Sequence, residues 1–236
     1  MIVASQKPIA EIIELTRDHK KLIVIGCGAC VTVCFAGGER ETQALALGLR
    51  LAARREKRPV EITVEMNVRQ CEWEFIEPLS EKIAAADAVV STACGVGVQF
   101  LAERWPDKRI LPGLNTSFMG GPIEQGVWLE NCGGCGNCVL ADTGGVCPVA
   151  RCAKSMLNGP CGGSQNGKCE VSKDIDCAWQ LIYDRLKLQG RLDQLTPLAP
   201  PKDWTPARDG GQRKVVREDL RLAAPESEVE SRKSEG

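Results

Sequence analysis

Histidine is almost missing from this 236-residue chain: His19 is the only one. It sits in the polar run TRDHKK with no cysteine near it in sequence, which reads as a solvated helix surface. Any metal site must therefore be all cysteine or cysteine plus carboxylate, and the mixed Cys/His zinc fingers are excluded. Aromatic residues make up only 4%, with a single tyrosine, Tyr183, so few rings are there to stack on a flavin or a pterin. Neither sign of charge is in excess, since 30 Lys and Arg face 31 Asp and Glu for a net −1. That balance leaves no electrostatic footprint for nucleic acid or an anionic membrane surface. No apolar run approaches the roughly 18 residues of a membrane span. The opening residues, MIVASQKPIAEII, lack the basic start, apolar stretch and small-residue cleavage site of a secretion signal. Together these absences predict a cytoplasmic protein with no nucleic-acid partner and no membrane span.

What the chain has instead is cysteine, 13 of them. In a reducing compartment an odd and large number of thiols points to metal rather than to disulfides. With histidine unavailable, the choice narrows to all-sulfur zinc or to iron–sulfur clusters.

The pattern along the chain predicts an α/β fold: a Rossmann-like parallel-sheet domain, then a small cysteine-rich metal-bound module with a C-terminal helix and an extended tail. An amphipathic helix in the stretch 5–21, with apolar Ile9, Ile12, Ile13 and Leu15, is followed by four buried-strand runs at 21–26, 60–66, 87–93 and 109–115. Helical patterns at 39–56, 74–86 and 96–105 alternate with them, the signature of βαβ units. Domain limits are expected at 1–120 for the α/β part, 128–190 for the cysteine-rich module and 191–236 for a charged tail. The Gly- and Pro-rich residues 116–128 read as a linker, and 174–190 as a closing helix. The tail is expected to drape over a domain or a partner, with its last residues, 224–236, disordered.

Five cysteines, Cys27, Cys30, Cys34, Cys71 and Cys94, follow predicted strands one, two and three. They would gather at the carboxyl edge of one parallel sheet, where open α/β sheets bind ligands. Four of the five are expected to hold one cluster: the C-x2-C-x3-C triplet plus a fourth thiolate. Cys94, which abuts its strand, is favoured over Cys71 for that place. A dinucleotide reading of GCGACV is weak, because Val31 occupies the third glycine position, although Glu65 could serve as the ribose acid. That reading would make the chain an independent oxidoreductase. No side chain stands out as a proton donor tuned near neutral pH, so no catalytic residue is assigned.

The other eight, Cys132, Cys135, Cys138, Cys147, Cys152, Cys161, Cys169 and Cys177, suit two four-thiolate sites. Bacterial ferredoxins share the C-x2-C-x2-C start but bring C-P after three residues, where here Cys147-Pro148 comes after eight. Paired cubanes fit, and so does one cluster with one four-cysteine zinc.

The run CGGCGNCVLADTGGVCPVARCAKSMLNGPCGGSQNGKCEV closely resembles the cysteine-rich methylenetetrahydrofolate reductase C-terminal domain, most clearly in TGGVCPVARC, NGPCGG and GKCEV. GCGACVTVCFAGGERE, RQCEWEF and ACGVGVQ are similar to the preceding part of the same family, the MetV-like small subunits of that enzyme. The resemblance implies an accessory electron-transfer subunit with two or three [4Fe–4S] clusters, zinc standing in place of one as an alternative. Its implied partners are the flavoprotein reductase that carries the folate site and a larger electron-donating complex. The implied reaction is reduction of 5,10-methylenetetrahydrofolate to the 5-methyl form in one-carbon metabolism of the Wood–Ljungdahl type. The rival reading is a zinc-held docking scaffold with no redox role. Trp128 and Trp204 are expected either to anchor a partner or to pack within the chain.

Overall fold

The structure, a computed structural model, describes residues 1–208, 211–216 and 219. The tail end expected to be disordered, 224–236, lies outside the described residues.

Strand β1 (Ile2–Gln6) and helix α1 (Ile9–Leu15) precede the first strand of the parallel sheet, β2 (Lys21–Cys27). After a short turn of helix, α2 (Cys30–Val33), the long α3 (Glu39–Arg55) leads into β3 (Glu61–Asn67). The expected helix over 74–86 is broken into α4 (Trp73–Ile76), a 3-10 turn at Glu77–Leu79 and α5 (Ser80–Ala84). Pro78 is the cause, since it has no N–H to continue the ladder and its ring crowds the preceding turn. Next come β4 (Ala88–Ser91), α6 (Gly95–Arg104) and β5 (Arg109–Pro112).

The parallel sheet has four strands in the order β3-β2-β4-β5. Side-chain alternation along β2 sends Leu22 and Val24 to one face and Ile23 and Ile25 to the other, as a period of two demands. The first face is covered by Ile12 of α1 and Leu45 and Leu49 of α3. The second is covered by Ile76, Ile83 and Leu101 of α4, α5 and α6. With both faces covered, β2 is buried at every residue except Lys21, which explains its unbroken apolar run.

The sequence reading does not anticipate a second sheet. Residues 116–128, expected as a linker, are mostly strand: β6 (Leu114–Glu124) turns through Gln125-Gly126 into β7 (Val127–Cys132). Gly126 takes φ +85°, the left-handed conformation a tight hairpin turn requires. Strand β1 pairs antiparallel with β6 on its other side, giving the order β1-β6-β7. Residue 120 thus lies inside β6. The Gly and Pro that suggested a linker mark register shifts at Met119/Gly120 and Pro122/Glu124. At Gly120 a Cβ would sit 1.9 Å from the Leu129 carbonyl oxygen, so the two backbones approach only because no side chain is there.

Beyond β7 regular structure thins out. A four-residue turn, α7 (Pro148–Arg151), and α8 (Ala178–Leu188) enclose a small core of Val146, Trp179, Ile182 and Leu186. The expected helix over 174–190 starts only after Cys177, which occupies its N-cap.

Candidate metal centres

All thirteen cysteines are free thiols. In the α/β half, Cys27 ends β2, Cys71 follows β3 and Cys94 follows β4 at the N-cap of α6. The carboxyl edge therefore does collect them, on the two sides of β2 where the strand order reverses. Burial pushes the Cys71 thiol up, and its neighbours Cys94 and Cys27 push it the same way, which places these three within electrostatic reach. Cys34 is buried in the same cluster as Cys27, with its thiol donating to the Ala4 carbonyl at 3.5 Å and the Val31 carbonyl at 3.6 Å. Cys30, the first residue of α2, is half-buried on the same loop.

Hydrogen bonds from residues that no motif marked lace this edge together. Gln70, fully buried, donates from Nε2 to the Ile25 and Gly26 carbonyls, both at 3.0 Å, while its Oε1 accepts from Ser91 at 2.6 Å. One side chain thus fixes the ends of β2 and β4 and the residue preceding Cys71. On the other side, the Thr92 hydroxyl meets that of Thr42 at 2.8 Å and donates to the Gly37 carbonyl, 3.2 Å away. A Cβ on Gly37 would lie 1.8 Å from the Thr92 carbonyl, so the cysteine loop presses directly on the β4 end. Phe35, at φ +53°, reverses the chain after Cys34 and lets the Ala36 and Gly37 amides return to the Val31 carbonyl. The only sequence signal for these roles was the placement of Gln70 and Thr92 next to cysteine-bearing positions.

Trp128 of β7 packs inward, against the cluster that contains Cys27, Cys34 and Cys94, with its ring 6.3 Å from Phe35. Its indole Nε1–H is the one buried side-chain polar atom without a hydrogen-bond partner among the described residues. Burying an unpaired donor costs on the order of 1–3 kcal/mol. An acceptor supplied by a bound sulfur-containing group would remove that cost. Trp204 is 42% exposed, with Lys202 Nζ 5.3 Å from its ring centroid.

In the cysteine-rich half, Cys152, Cys161, Cys169 and Cys177 line a single cavity of about 20 Å³. Arg151, Lys154, Glu170 and Asp176 share its walls. Lys154 pairs with Glu170, and Lys168 with Asp176 at 2.6 Å, which holds the Asp176 carboxyl below the usual range. The backbone amide of Met156 donates to Cys152 Sγ at 3.4 Å, and that of Gly134 to Cys132 Sγ at 3.4 Å. Cys132, Cys135 and Cys138 lie on the loop that leaves β7, and Cys147 caps α7. Among the described residues no three His, Cys, Asp or Glu side chains stand close enough to hold a single ion as they are.

The donor set fits a thiophilic metal group: reduced sulfurs, backbone N–H groups aimed at two of them, and one buried donor left over. It does not fit a dinucleotide. Glu65, the candidate ribose acid, is paired with Lys82 at 2.7 Å. The helix nearest the glycine turn is only four residues long, and the next opens with Glu39 and Glu41, which would repel a pyrophosphate.

Residues 111–205 match the family described as methylene-tetrahydrofolate reductase C terminal. The match runs from the end of β5 through the hairpin, all eight cysteines of the second half and α8, and into the tail. No curated protein and no solved structure matches the chain. No helix among the described residues is long and apolar enough to cross a membrane.

Proposed function

We propose, from the match of residues 111–205 to the methylene-tetrahydrofolate reductase C-terminal family, that this chain is the iron–sulfur electron-transfer subunit of such a reductase. Its partner is a catalytic flavoprotein subunit that converts 5,10-methylene- to 5-methyltetrahydrofolate, with a larger donor complex upstream. The clusters supply reversible one-electron storage. The chain's own residues hold them, set their surroundings and dock the partner.

The observation that carries this reading is the convergence of Cys152, Cys161, Cys169 and Cys177 on one cavity within the family-matched segment. A tetrahedral zinc, with bonds of about 2.3 Å, would draw its sulfurs to within about 3.8 Å of one another. The thiols line one cavity with no such close approach, so a cubane or a four-cysteine zinc would each draw them inward on binding. The remaining four, Cys132, Cys135, Cys138 and Cys147, make the second set in the same segment. Cys27, Cys30, Cys71 and Cys94 are the ligands we assign to the α/β half, because the Cys34 thiol is turned to the Ala4 and Val31 carbonyls. The unpaired Trp128 N–H supports a sulfur acceptor in that neighbourhood.

Anaerobic purification followed by iron, zinc and acid-labile sulfide analysis, with EPR after dithionite reduction, tests the reading. Two or three clusters correspond to about eight to twelve iron per chain with equal sulfide and a cubane signal. Zinc without sulfide would make the chain a docking scaffold and overturn the electron-transfer role.

A further inference from the structure

The stretch after α8 carries no cysteine, yet its contacts concentrate on the C-x2-C-x2-C loop. Lys202 is half-buried, and its Nζ donates to the Asn137 carbonyl and, at 3.2 Å, to the Asn137 side-chain oxygen. Arg213 donates from one guanidinium nitrogen to the Gly134 carbonyl at 2.5 Å and the Pro206 carbonyl at 3.0 Å. Between these anchors, Pro206 lies against Gly136, where a Cβ would come within 2.7 Å of the proline ring. Gly134 and Gly136 both have positive φ, at +62° and +79°, so the loop backbone turns its carbonyls outward to meet these donors. Upstream, the Ala199 amide donates to Asn158 Oδ1 at 3.3 Å, tying the same stretch to the loop that precedes Cys161.

We propose that residues 199–208 and 211–213 are a strap that forms the outer half of the metal site on Cys132, Cys135 and Cys138. Lys202 and Arg213 are its positioning residues. Two loop carbonyls, at Gly134 and Asn137, flank Cys135 and precede Cys138, so fixing them fixes the direction in which both thiols leave the backbone. The two side chains are cations, and they stand over a loop whose three thiols become anionic when they ligate. The strap therefore does two things at once: it orders a glycine-rich loop that lacks a core of its own, and it offsets the charge the bound group concentrates there. The supporting shell of a metal site is what orients its ligands, and its loss lowers metal affinity by about 10- to 100-fold.

The inference rests on the metal reading above, and its test separates the two. The full chain carrying K202M and R213M is compared with wild type, with a K202R/R213K chain that keeps both cations, and with K173M as a surface control. EDTA challenge, with released metal counted by mass spectrometry, is expected to show one set of metal leaving the double variant about 10-fold faster or more. The arginine–lysine exchange and K173M should restore or keep the wild-type rate. Equal rates in wild type and K202M/R213M would overturn the proposal while leaving the metal reading intact. A wild-type chain without metal would overturn both as stated. Hydrogen exchange of the 133–138 amides reports the loop order directly: faster exchange in K202M/R213M alone supports the strap, and unchanged exchange rejects it.

Discussion

At the scale of single residues, the thiols are the obvious chemistry, but uncharged side chains set where they stand. Gln70 bonds two carbonyls and one hydroxyl inside the sheet edge, and Gln70→Leu would break all three bonds, leaving the Ile25 carbonyl to Thr92 and the Ser91 hydroxyl to the Ala93 amide. The expected loss is about 1.5–4.5 kcal/mol, because each of the three hydrogen bonds is worth roughly 0.5–1.5 kcal/mol net. Calorimetry should show a Tm lower by several degrees, and iron or zinc analysis should show reduced metal in the α/β half, since Cys71 is the next residue. At the opposite edge, Asp87 accepts from the Lys20 and Lys21 amides at 3.0 and 2.9 Å, which holds its carboxyl below the usual range. A depressed carboxyl stabilises the folded state above its unfolded pKa, about 3.9, and that stabilisation fades as pH falls through the folded value. Asp87→Asn should therefore melt below wild type at neutral pH, and the two should converge on acidification. A constant gap across the titration would show that the carboxylate charge is not involved.

Elements tell which parts of this protein its sequence announces. The parallel strands are legible because β2 and β4 are buried apolar runs, β3 and β5 are short runs around Ile62 and Val64 and around Ile110 and Leu111, and helical periods separate them all; the edge-clustering of Cys27, Cys71 and Cys94 follows from those strands alone. The hairpin is not legible. Gly120, Gly121 and Pro122 lie inside β6 at points where the register shifts, and local propensity reads such residues as loop whatever the tertiary pairing does with them. The lacing by Gln70 and Thr92 and the strap anchors Lys202 and Arg213 are equally silent, because a polar residue shows its hydrogen-bond partner only once the chain is folded. Helix α8 is the element on which the cysteine-rich half depends. Ile182 and Leu186 are fully buried in its small core, and Trp179 locks the helix to the Met156 carbonyl at 2.9 Å. Ile182→Ala should cost about 2–5 kcal/mol, and this half has no other packed cluster to absorb the loss. Circular dichroism melts of the metal-depleted variant should show the effect in the lower of two transitions alone.

The whole molecule is uneven in what holds it. The parallel sheet has two well-filled faces and needs no ligand to stay packed. Among the described residues the cysteine-rich half has a core cluster of four residues beside its eight thiols, so on the metal reading proposed above its folding free energy would come largely from what those thiols bind. Removing the metal with a chelator should split one melting transition into two. The half beyond β7 should lose order at the lower temperature, and the α/β half should keep its helical signal. A single transition unchanged by chelation would contradict that division.

Strand β1 adds one more consequence. Among the described residues its one strand partner is β6, from Ile2 against Met119 to Gln6 against Leu114, with Ala4 and Gln6 also touching the cysteine loop. A ribosome makes β1 long before β6, so through synthesis of the entire parallel sheet β1 exists as an unpaired edge with nothing to zip onto. Closing so long a loop is slow compared with assembling neighbouring βα units. The nascent chain is therefore most open to aggregation, and most in need of chaperone protection, during the interval before the hairpin emerges.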